Sequence, residues 1–183
     1  AIEPVTDLSK IDLAELLKHT TKNVPDMLAR MKEILGKIQD QQLAALINAY
    51  LDDAELMKKF SIAPAAMGMH HAWIGGLLEH TLSLLELALL VCPRYPDIDQ
   101  DLVLAGLFLH DMAKTAELSY TCGFDYTDVG RLVGHIALGT VWVENKAQQA
   151  AAKLGQPIRK ELVMVLQHII LSHHGTPEFG AAV

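Results

Sequence analysis

The residues in this sequence best suited to chemistry are His110 and Asp111, an imidazole and a carboxylate that stand side by side. They follow the apolar run LFL, and Lys114 comes one helical turn later. Nitrogen and oxygen donors of this kind suit a divalent metal such as Mn, Fe, Zn or Mg. We expect the pair to lie where a buried helix breaks, so that both side chains face one polar pocket.

The other histidines make sense when they are considered together with this pair. Seven of the nine lie at or near the ends of apolar segments: His70, His71, His80, His110, His135, His173 and His174. An imidazole buried in an apolar bundle costs free energy unless its ring is paired. A divalent metal can satisfy several rings at once, and helical bundles build internal metal sites from facing helices. A single such histidine would indicate an ordinary core residue, whereas the series favours a shared metal centre.

Helices must position these residues, because the composition favours an all-α protein. Hydrophobic residues make up 51% of the 183 residues and aromatic residues only 5%, and Leu and Ala dominate the apolar set;. We expect the helix that starts at Asp40 to continue past Leu51 towards Phe60, and one long helix to run from Asp128 through Val143;. The glycine-containing segment near 118–127 predicts a small hairpin. Further helices are expected to begin near Val24, Gly76, Gln100 and Ile158.

The charge balance argues against a protein that grips nucleic acid by electrostatics alone, since the formal net charge is −7;. A bound metal could still carry the local positive charge that a polyanionic substrate requires. The N-terminus lacks the features of a signal peptide, and we find no apolar run of the roughly 18 residues that a membrane span needs. We therefore expect a cytoplasmic protein without a membrane segment.

Several other catalytic signatures are absent from the sequence. It contains no HExxH zinc-protease motif and no GxxxxGK[ST] phosphate loop;. It also lacks the GxSxG nucleophile elbow;. Cys92 and Cys122 are too far apart for a structural zinc site, and we interpret them as ordinary reduced thiols;.

The histidine blocks, taken in order, resemble the HD superfamily of metal-dependent phosphohydrolases. The segment GGLLEHT around His80 resembles the first histidine motif of that superfamily, and HDMAK at 110–114 resembles its HD-[IM]-[GA]-K motif. Within the superfamily, the blocks 70–81, 126–136 and 170–175 are similar to the YhaM-type 3′–5′ exoribonucleases. The similar blocks together extend over residues 64–180.

The resemblance implies an all-α HD-domain helical bundle over residues 64–183, preceded by an N-terminal helical extension over residues 1–63. It also implies one or two divalent metal ions, with Mn the first choice and Fe, Mg, Co, Ni or Zn as alternatives. The implied ligands of one metal are His80, His110 and Asp111. The implied ligands of a second metal are His135 with His173 and/or His174, and Asp111 would bridge the two.

The resemblance further implies roles for residues around the metals. Asp111 and Lys114 are the expected catalytic residues, and Lys114 is also expected to bind a substrate phosphate unless it is a solvated lysine at a helix end. His70 and His71 are expected to contact the substrate phosphate or to protonate the leaving oxygen, with a structural role in their loop as the alternative. Arg131 is expected to reach a phosphate or to form an ordinary salt bridge.

Two features of such enzymes are not found in the sequence. HD enzymes supply a last metal-ligand Asp from a helix after the final histidine motif, and no such segment precedes Val183. YhaM-type proteins also carry an N-terminal OB-type nucleic-acid-binding domain, which nothing here resembles. We therefore expect the chain to be a fragment of a longer protein, with the HD domain truncated at its C-terminus.

The expected function is a metal-dependent phosphodiesterase, specifically a 3′–5′ exoribonuclease that acts on RNA or single-stranded nucleic acid. One alternative is hydrolysis of a small nucleotide or cyclic dinucleotide at the same centre. An alternative of another class is a non-catalytic HD-fold module that binds a nucleotide or a partner protein. Both enzymatic functions require a nucleic acid or a nucleotide as substrate.

Overall fold

A computed structural model describes residues 17–68, 71–120 and 123–176. The first 16 residues of the expected N-terminal helical extension, together with His70 and Cys122, lie outside the described residues. Within the described ranges, nine α-helices form a bundle with one two-stranded hairpin. This architecture confirms the all-α fold class predicted from composition and periodicity.

The first three helices are α1 (Val24–Leu35), α2 (Gln41–Leu51) and α3 (Ala54–Ile62). Each begins at a side chain that accepts hydrogen bonds from backbone amides of the first turn, namely Asn23, Asp40 and Asp53;. The expectation that the helix from Asp40 continues towards Phe60 was wrong. Asp53 adopts an extended backbone conformation and caps a new helix, so the chain turns between α2 and α3.

The two helices at the centre of the bundle are α4 (Gly76–Val91) and α5 (Gln100–Leu109), and a short 3₁₀ turn, Cys92–Arg94, follows α4. After Leu109 the segment 110–113 forms a turn, and the four-residue helix α6 (Lys114–Glu117) follows it. The break expected at His110 therefore lies where the sequence predicted it.

The predicted hairpin is present directly after α6. Its strands are β1 (Leu118–Ser119) and β2 (Asp125–Tyr126), which pair antiparallel with Leu118 opposite Tyr126. The chain then forms α7 (Asp128–Leu132), α8 (Gly134–Leu154) and α9 (Lys160–Ser172).

The single long helix expected from Asp128 is in fact two helices. Val133 lies between the two helices, and Gly134, the first residue of α8, adopts a left-handed backbone conformation with φ of 74°. A residue with a Cβ rarely adopts this conformation, so the glycine permits a change of direction that helical periodicity does not reveal. The change turns the backbone amide of His135 towards Glu117.

One hydrophobic core runs through the bundle and joins residues on both sides of position 63. The buried ring of Phe108 on α5 lies between Tyr50 on α2 and Phe60 on α3, with ring centroids 6.1 Å and 6.0 Å away. Helix α2 also packs along α8, which in turn packs against α9. The division into an extension over 1–63 and a domain over 64–183 remains a prediction.

One segment, Gly76–Arg94, is long and apolar enough to cross a membrane by length and composition, with a mean hydropathy of 1.4 in its most apolar window. We expected no uninterrupted apolar run of this length, and Glu79 and His80 do interrupt this one. The segment still passes the test because the test averages hydropathy over a window. The core helix of a protein without a membrane span passes the same test, and 44% of the window is buried in this bundle. The segment is therefore weak evidence for a membrane span.

Candidate metal centre

The carboxylate of Asp111 lies between two groups of histidines. Its Oδ2 atom is 3.4 Å from Nε2 of His110 and 3.8 Å from Nε2 of His80. Its Oδ1 atom is 3.5 Å from Nε2 of His135 and 3.5 Å from Nε2 of His173. The two oxygens of one side chain thus face imidazoles that come from four different parts of the chain.

Local hydrogen bonds orient two of these rings. Nδ1 of His110 donates to the carbonyl oxygen of Leu107 at 2.8 Å, and Nδ1 of His173 donates to the carbonyl oxygen of Ile170 at 2.6 Å. Both carbonyls lie three residues earlier, at the C-terminal end of a helix, where such oxygens lack a helical partner. Because a carbonyl oxygen only accepts, each Nδ1 carries the hydrogen, and each Nε2 presents its lone pair to the centre.

The structure brings together all six residues that the sequence grouped as metal ligands. Donor atoms of His80, His110 and Asp111 lie within 4.8 Å of one another, and so do donor atoms of His135, His173 and His174. His174 joins the second group through ring contacts, with its centroid 4.3 Å from that of His173. The two groups contain the same residues as the two ligand sets that the resemblance implied, and their role as metal ligands remains a prediction.

The charge states of these groups suit a metal site. Burial raises the pKa of Asp111, but the imidazoles of His110 and His173 outweigh that effect, and the pKa lies well below its usual value. Asp111 is therefore an anion at neutral pH. Burial lowers the pKa of His80 to about 4, against the opposing effect of Asp111. The His80 ring is therefore neutral near pH 7, as metal coordination requires.

Several donor atoms at the centre are buried without a hydrogen-bond partner. Among the described residues, these include Oδ1 of Asp111, Nε2 of His135 and Nε2 of His173. Buried polar atoms in folded proteins are nearly always paired, and three unpaired atoms around one point are expected where an ion belongs. A carboxylate surrounded by imidazoles is also a donor set that binds Mn, Fe, Co, Ni or Zn. The residues present therefore fit one or two divalent metals.

Lys114 lies at the edge of the centre, and its ammonium group is already engaged. Nζ donates to Oδ2 of Asp111 at 2.8 Å and to the carbonyl oxygen of Ala65 at 2.9 Å. Its side chain is 16% exposed. Lys114 thus ties the Asp111 carboxylate to the loop before α4, and any contact with a phosphate would be additional to these two bonds.

The remaining residues proposed to bind substrate lie in different places. His71 is next to the centre, with its ring centroid 5.5 Å from that of His80, and its Nδ1 atom is buried without a hydrogen-bond partner. Arg131 lies at the surface, where its guanidinium donates to Asp125 at 2.6 Å and its side chain is 58% exposed. His70 is outside the described residues.

Sequence reasoning missed one residue of this site, Glu117 at the end of α6. Its Oε1 atom accepts hydrogen bonds from the backbone nitrogen and from Nδ1 of His135. Burial raises the pKa of Glu117, but the bonds from His135 outweigh that effect and leave the pKa below its usual value. Glu117 lies six residues after Asp111 and belongs to none of the sequence motifs described above. Only the three-dimensional structure shows that it contacts His135.

A cavity of about 560 Å³ opens next to the histidines. Part of its wall is apolar and comes from three helices, through Leu84 on α4, Val103 and Leu107 on α5, and Ile169 on α9. The rest of the wall is the centre itself, including His80, His110, Asp111, Lys114, His173 and His174. Such a space can receive a molecule with one apolar or aromatic part and one anionic part.

The fold and the site define a helical-bundle protein whose central carboxylate and surrounding histidines are suited to divalent metals. A family model described as the HD domain matches residues 77–180, and the chain therefore belongs to the HD-domain family. No solved structure matches the chain.

A relative with a known activity resembles the chain over most of its length. The 3′-5′ exoribonuclease YhaM of Geobacillus sp. (strain WCH70) is 35% identical over 171 residues. The match covers 93% of this chain and 50% of that relative, so the chain spans about half the length of the curated relative.

Proposed function

We propose that this chain is the catalytic HD domain of a metal-dependent 3′–5′ exoribonuclease. The observation that carries the proposal is the position of Asp111, whose two oxygens face two separate groups of histidines at 3.4–3.8 Å. The likeness to the YhaM enzyme supports RNA as the substrate. Residues 64–183 would form the catalytic part, with the preceding helices as an extension that shares its core.

The proposed ligands of one metal are His80, His110 and Asp111, and those of the second are His135, His173 and His174. The chemistry that divalent ions supply at such a centre is Lewis-acid activation of water and neutralisation of phosphate charge. Mn is the proposed ion, and Fe, Mg, Co, Ni and Zn are alternatives. Asp111 would contribute to both ligand sets, because one of its oxygens faces each histidine group.

The residues around the ligands would hold the substrate. Lys114 keeps Oδ2 of Asp111 oriented through its ammonium group and adds positive charge beside the scissile phosphate;. His71 has a buried and unpaired Nδ1 atom on the His80 side of the centre, from which it can contact a phosphate or protonate the leaving oxygen;. Arg131 would have to leave Asp125 to reach a phosphate.

One alternative substrate is a small nucleotide or cyclic dinucleotide. The chain carries a formal net charge of −7, which gives a long polyanion little electrostatic attraction outside the centre;. The cavity of about 560 Å³ beside the histidines is also large enough for a nucleotide-sized ligand;. The metal centre would be the same for both substrates.

The experiment measures bound Mn²⁺ and hydrolysis for this polypeptide and for a version extended past Val183. The substrates are single-stranded RNA, free nucleotides and a cyclic dinucleotide. We expect His110→Ala and Asp111→Ala to lose both metal retention and release of mononucleotides from RNA. The matched control is His168→Ala, which removes an exposed imidazole of α9 and should keep both.

The outcomes separate the candidate functions. An extended His110→Ala protein that keeps its metal and its full activity would show that the proposed centre is wrong. Turnover of free nucleotides or of the cyclic dinucleotide without turnover of RNA would favour the small substrate. Metal binding without hydrolysis of any substrate in either version would favour a non-catalytic binding module.

A further inference from the structure

A single carboxylate oxygen holds both the backbone and the ring of His135. Oε1 of Glu117 accepts from the backbone nitrogen of His135 at 2.9 Å and from its Nδ1 atom at 2.8 Å. Both residues are buried, Glu117 being 8% exposed and His135 7%. The contact joins residues 18 positions apart, so it belongs to the tertiary structure.

This contact decides which nitrogen of His135 carries the hydrogen. An ionised carboxylate can only accept, so Nδ1 must be the protonated nitrogen of a neutral ring. Nε2 is then left with a free lone pair, and it lies 3.5 Å from Oδ1 of Asp111 without a hydrogen-bond partner of its own. The ring is thus prepared to donate Nε2 to an ion.

The chain around Glu117 is built to keep it in place. The Glu117 carbonyl oxygen accepts from the backbone nitrogen of Thr127 at 2.9 Å. Helix α7 approaches so closely that a Cβ at Gly130 would lie 2.2 Å from the same carbonyl oxygen. The hairpin, α7 and the start of α8 therefore fix both partners of the Glu117–His135 contact.

A side chain orients the ring of His135, whereas the backbone orients the other two rings whose Nδ1 partner is known. Backbone carbonyls of Leu107 and Ile170 orient His110 and His173, and no substitution removes a carbonyl. Glu117 is a side chain, so its contribution can be removed and measured. A carboxylate on the far nitrogen of a metal-binding imidazole also raises the basicity of that ligand.

We propose that Glu117 is a positioning residue of the metal centre, which holds His135 in its Nδ1-protonated form with Nε2 aimed at the ion. The inference rests on the proposed metal centre and adds a residue that neither the motifs nor the ligand groups include. Glu117 acts through His135 and has no contact with substrate or metal in this assignment.

The test compares Glu117→Ala with Glu117→Gln in the protein freed of metal. Titration calorimetry with Mn²⁺ should show an affinity lower by about 10- to 100-fold for Glu117→Ala, the usual effect of removing such a partner. Glu117→Gln keeps an oxygen that can accept from Nδ1 and should recover most of the affinity. Nitrogen NMR of the rings should show His135 with hydrogen on Nδ1 in the wild type and in Glu117→Gln.

A matched control separates positioning from loss of stability. Asp40→Ala removes a carboxylate that caps α2 and pairs with Arg159, away from the histidines. It should lower the free energy of unfolding and leave the Mn²⁺ affinity unchanged. A fall in affinity for Asp40→Ala that matches the fall for Glu117→Ala would overturn the inference, because instability alone would then account for both.

The remaining outcomes distinguish this inference from the proposed function. Wild-type Mn²⁺ affinity in Glu117→Ala would overturn the role of Glu117 and leave the metal centre intact. A His135 ring with hydrogen on Nε2 in the metal-free wild type would do the same, and that measurement needs no variant. Absence of Mn²⁺ binding in the wild type would overturn the proposed centre and the role of Glu117 together.

Discussion

The carbonyl oxygen of His71 lies against the Cα atom of Gly76, where a Cβ atom would be only 2.0 Å from that oxygen. The same carbonyl accepts from the backbone nitrogens of Ala65 at 3.1 Å and Trp73 at 2.9 Å. His71 itself has a positive φ of 57°, which costs free energy for a residue with a side chain;. Gly76 therefore permits the loop that places His71 at the start of the helix carrying His80.

We predict that Gly76→Ala destabilises the protein and disturbs this loop. The added methyl group would meet a backbone oxygen, which cannot move without breaking the bonds it accepts. The free energy of unfolding in urea should fall by an amount at the upper end of the roughly 0.5–3 kcal/mol typical of single substitutions. Gly68→Ala is the control, since among the described residues, apart from its chain neighbours, no heavy atom lies within 4 Å of the added carbon. Equal stability of the two variants would contradict the packing of Gly76 on His71.

Metal binding should stabilise the fold. An ion that binds only the folded state raises the free energy of unfolding, by about 2.7 kcal/mol when its concentration is 100 times the dissociation constant. We expect Mn²⁺ to produce this rise in the wild type and in His168→Ala, and EDTA to reverse it. His110→Ala and Asp111→Asn should show no rise, because each removes a donor from the His80–His110–Asp111 group. Chemical denaturation with and without Mn²⁺ measures the effect, and a full rise in Asp111→Asn would exclude Asp111 as a ligand.

The pH dependence of stability should include a contribution from Asp53. Its carboxylate accepts from Nζ of Lys146 at 2.8 Å and from the backbone nitrogen of Leu56 at 3.0 Å, and these bonds lower its pKa from the usual 3.8 despite partial burial. Because the pKa of Asp53 is lower in the folded protein than in the unfolded protein, its ionisation stabilises the fold at pH values above the unfolded-state pKa;. This stabilisation is lost as the pH falls through the folded-state pKa.

The variant that isolates this contribution is Asp53→Asn, which keeps an oxygen for the helix cap but loses the charge that pairs with Lys146. The free energy of unfolding of the wild type should exceed that of Asp53→Asn at pH 6, and the difference should shrink as the pH falls below 3.8. Urea denaturation over a pH series measures it. A difference in the free energy of unfolding that grows towards acid pH would show that ionisation of Asp53 does not stabilise the fold.

Phe108 should be among the most costly core residues to truncate. Its ring is 1% exposed and packs edge-on against Tyr50 and Phe60. Phe108→Ala should lower the free energy of unfolding by about 3–5 kcal/mol, and Phe108→Leu should lower it less because less of the volume is lost. Because the two partner rings lie before residue 64, the wild type should unfold in one transition. Two resolved transitions in the wild type would contradict a core shared across that position.

The fold was largely predictable from local sequence features, whereas the two helix breaks that the prediction missed depend on tertiary contacts. The helix starts near Val24 and Gly76 follow from apolar periodicity and from Pro25 in a first turn, which are local features;. The breaks at Asp53 and Gly134 were missed, since an aspartate can lie within a helix or cap one and a glycine inside a periodic segment can remain helical. Tertiary contacts decided both cases.

The sequence by itself determined which donors are present and which helix ends carry them. Six donors could be grouped because each follows or interrupts an apolar segment, and apolar segments are buried. They are His80, His110, Asp111, His135, His173 and His174. The resemblance to a known family also implies their assignment to two groups. Their roles as ligands remain predictions.

Only the tertiary structure decided how those donors face one another. Three contacts depend on how the helices are rotated and how closely they approach one another. They are the pairing of each Asp111 oxygen with its rings, the hydrogen bond from Lys114 to Ala65, and the contact between Glu117 and His135. Those rotations result from core packing between residues far apart in the chain. Periodicity reports which face of a helix is buried, and it carries no information about the partner that the face will meet.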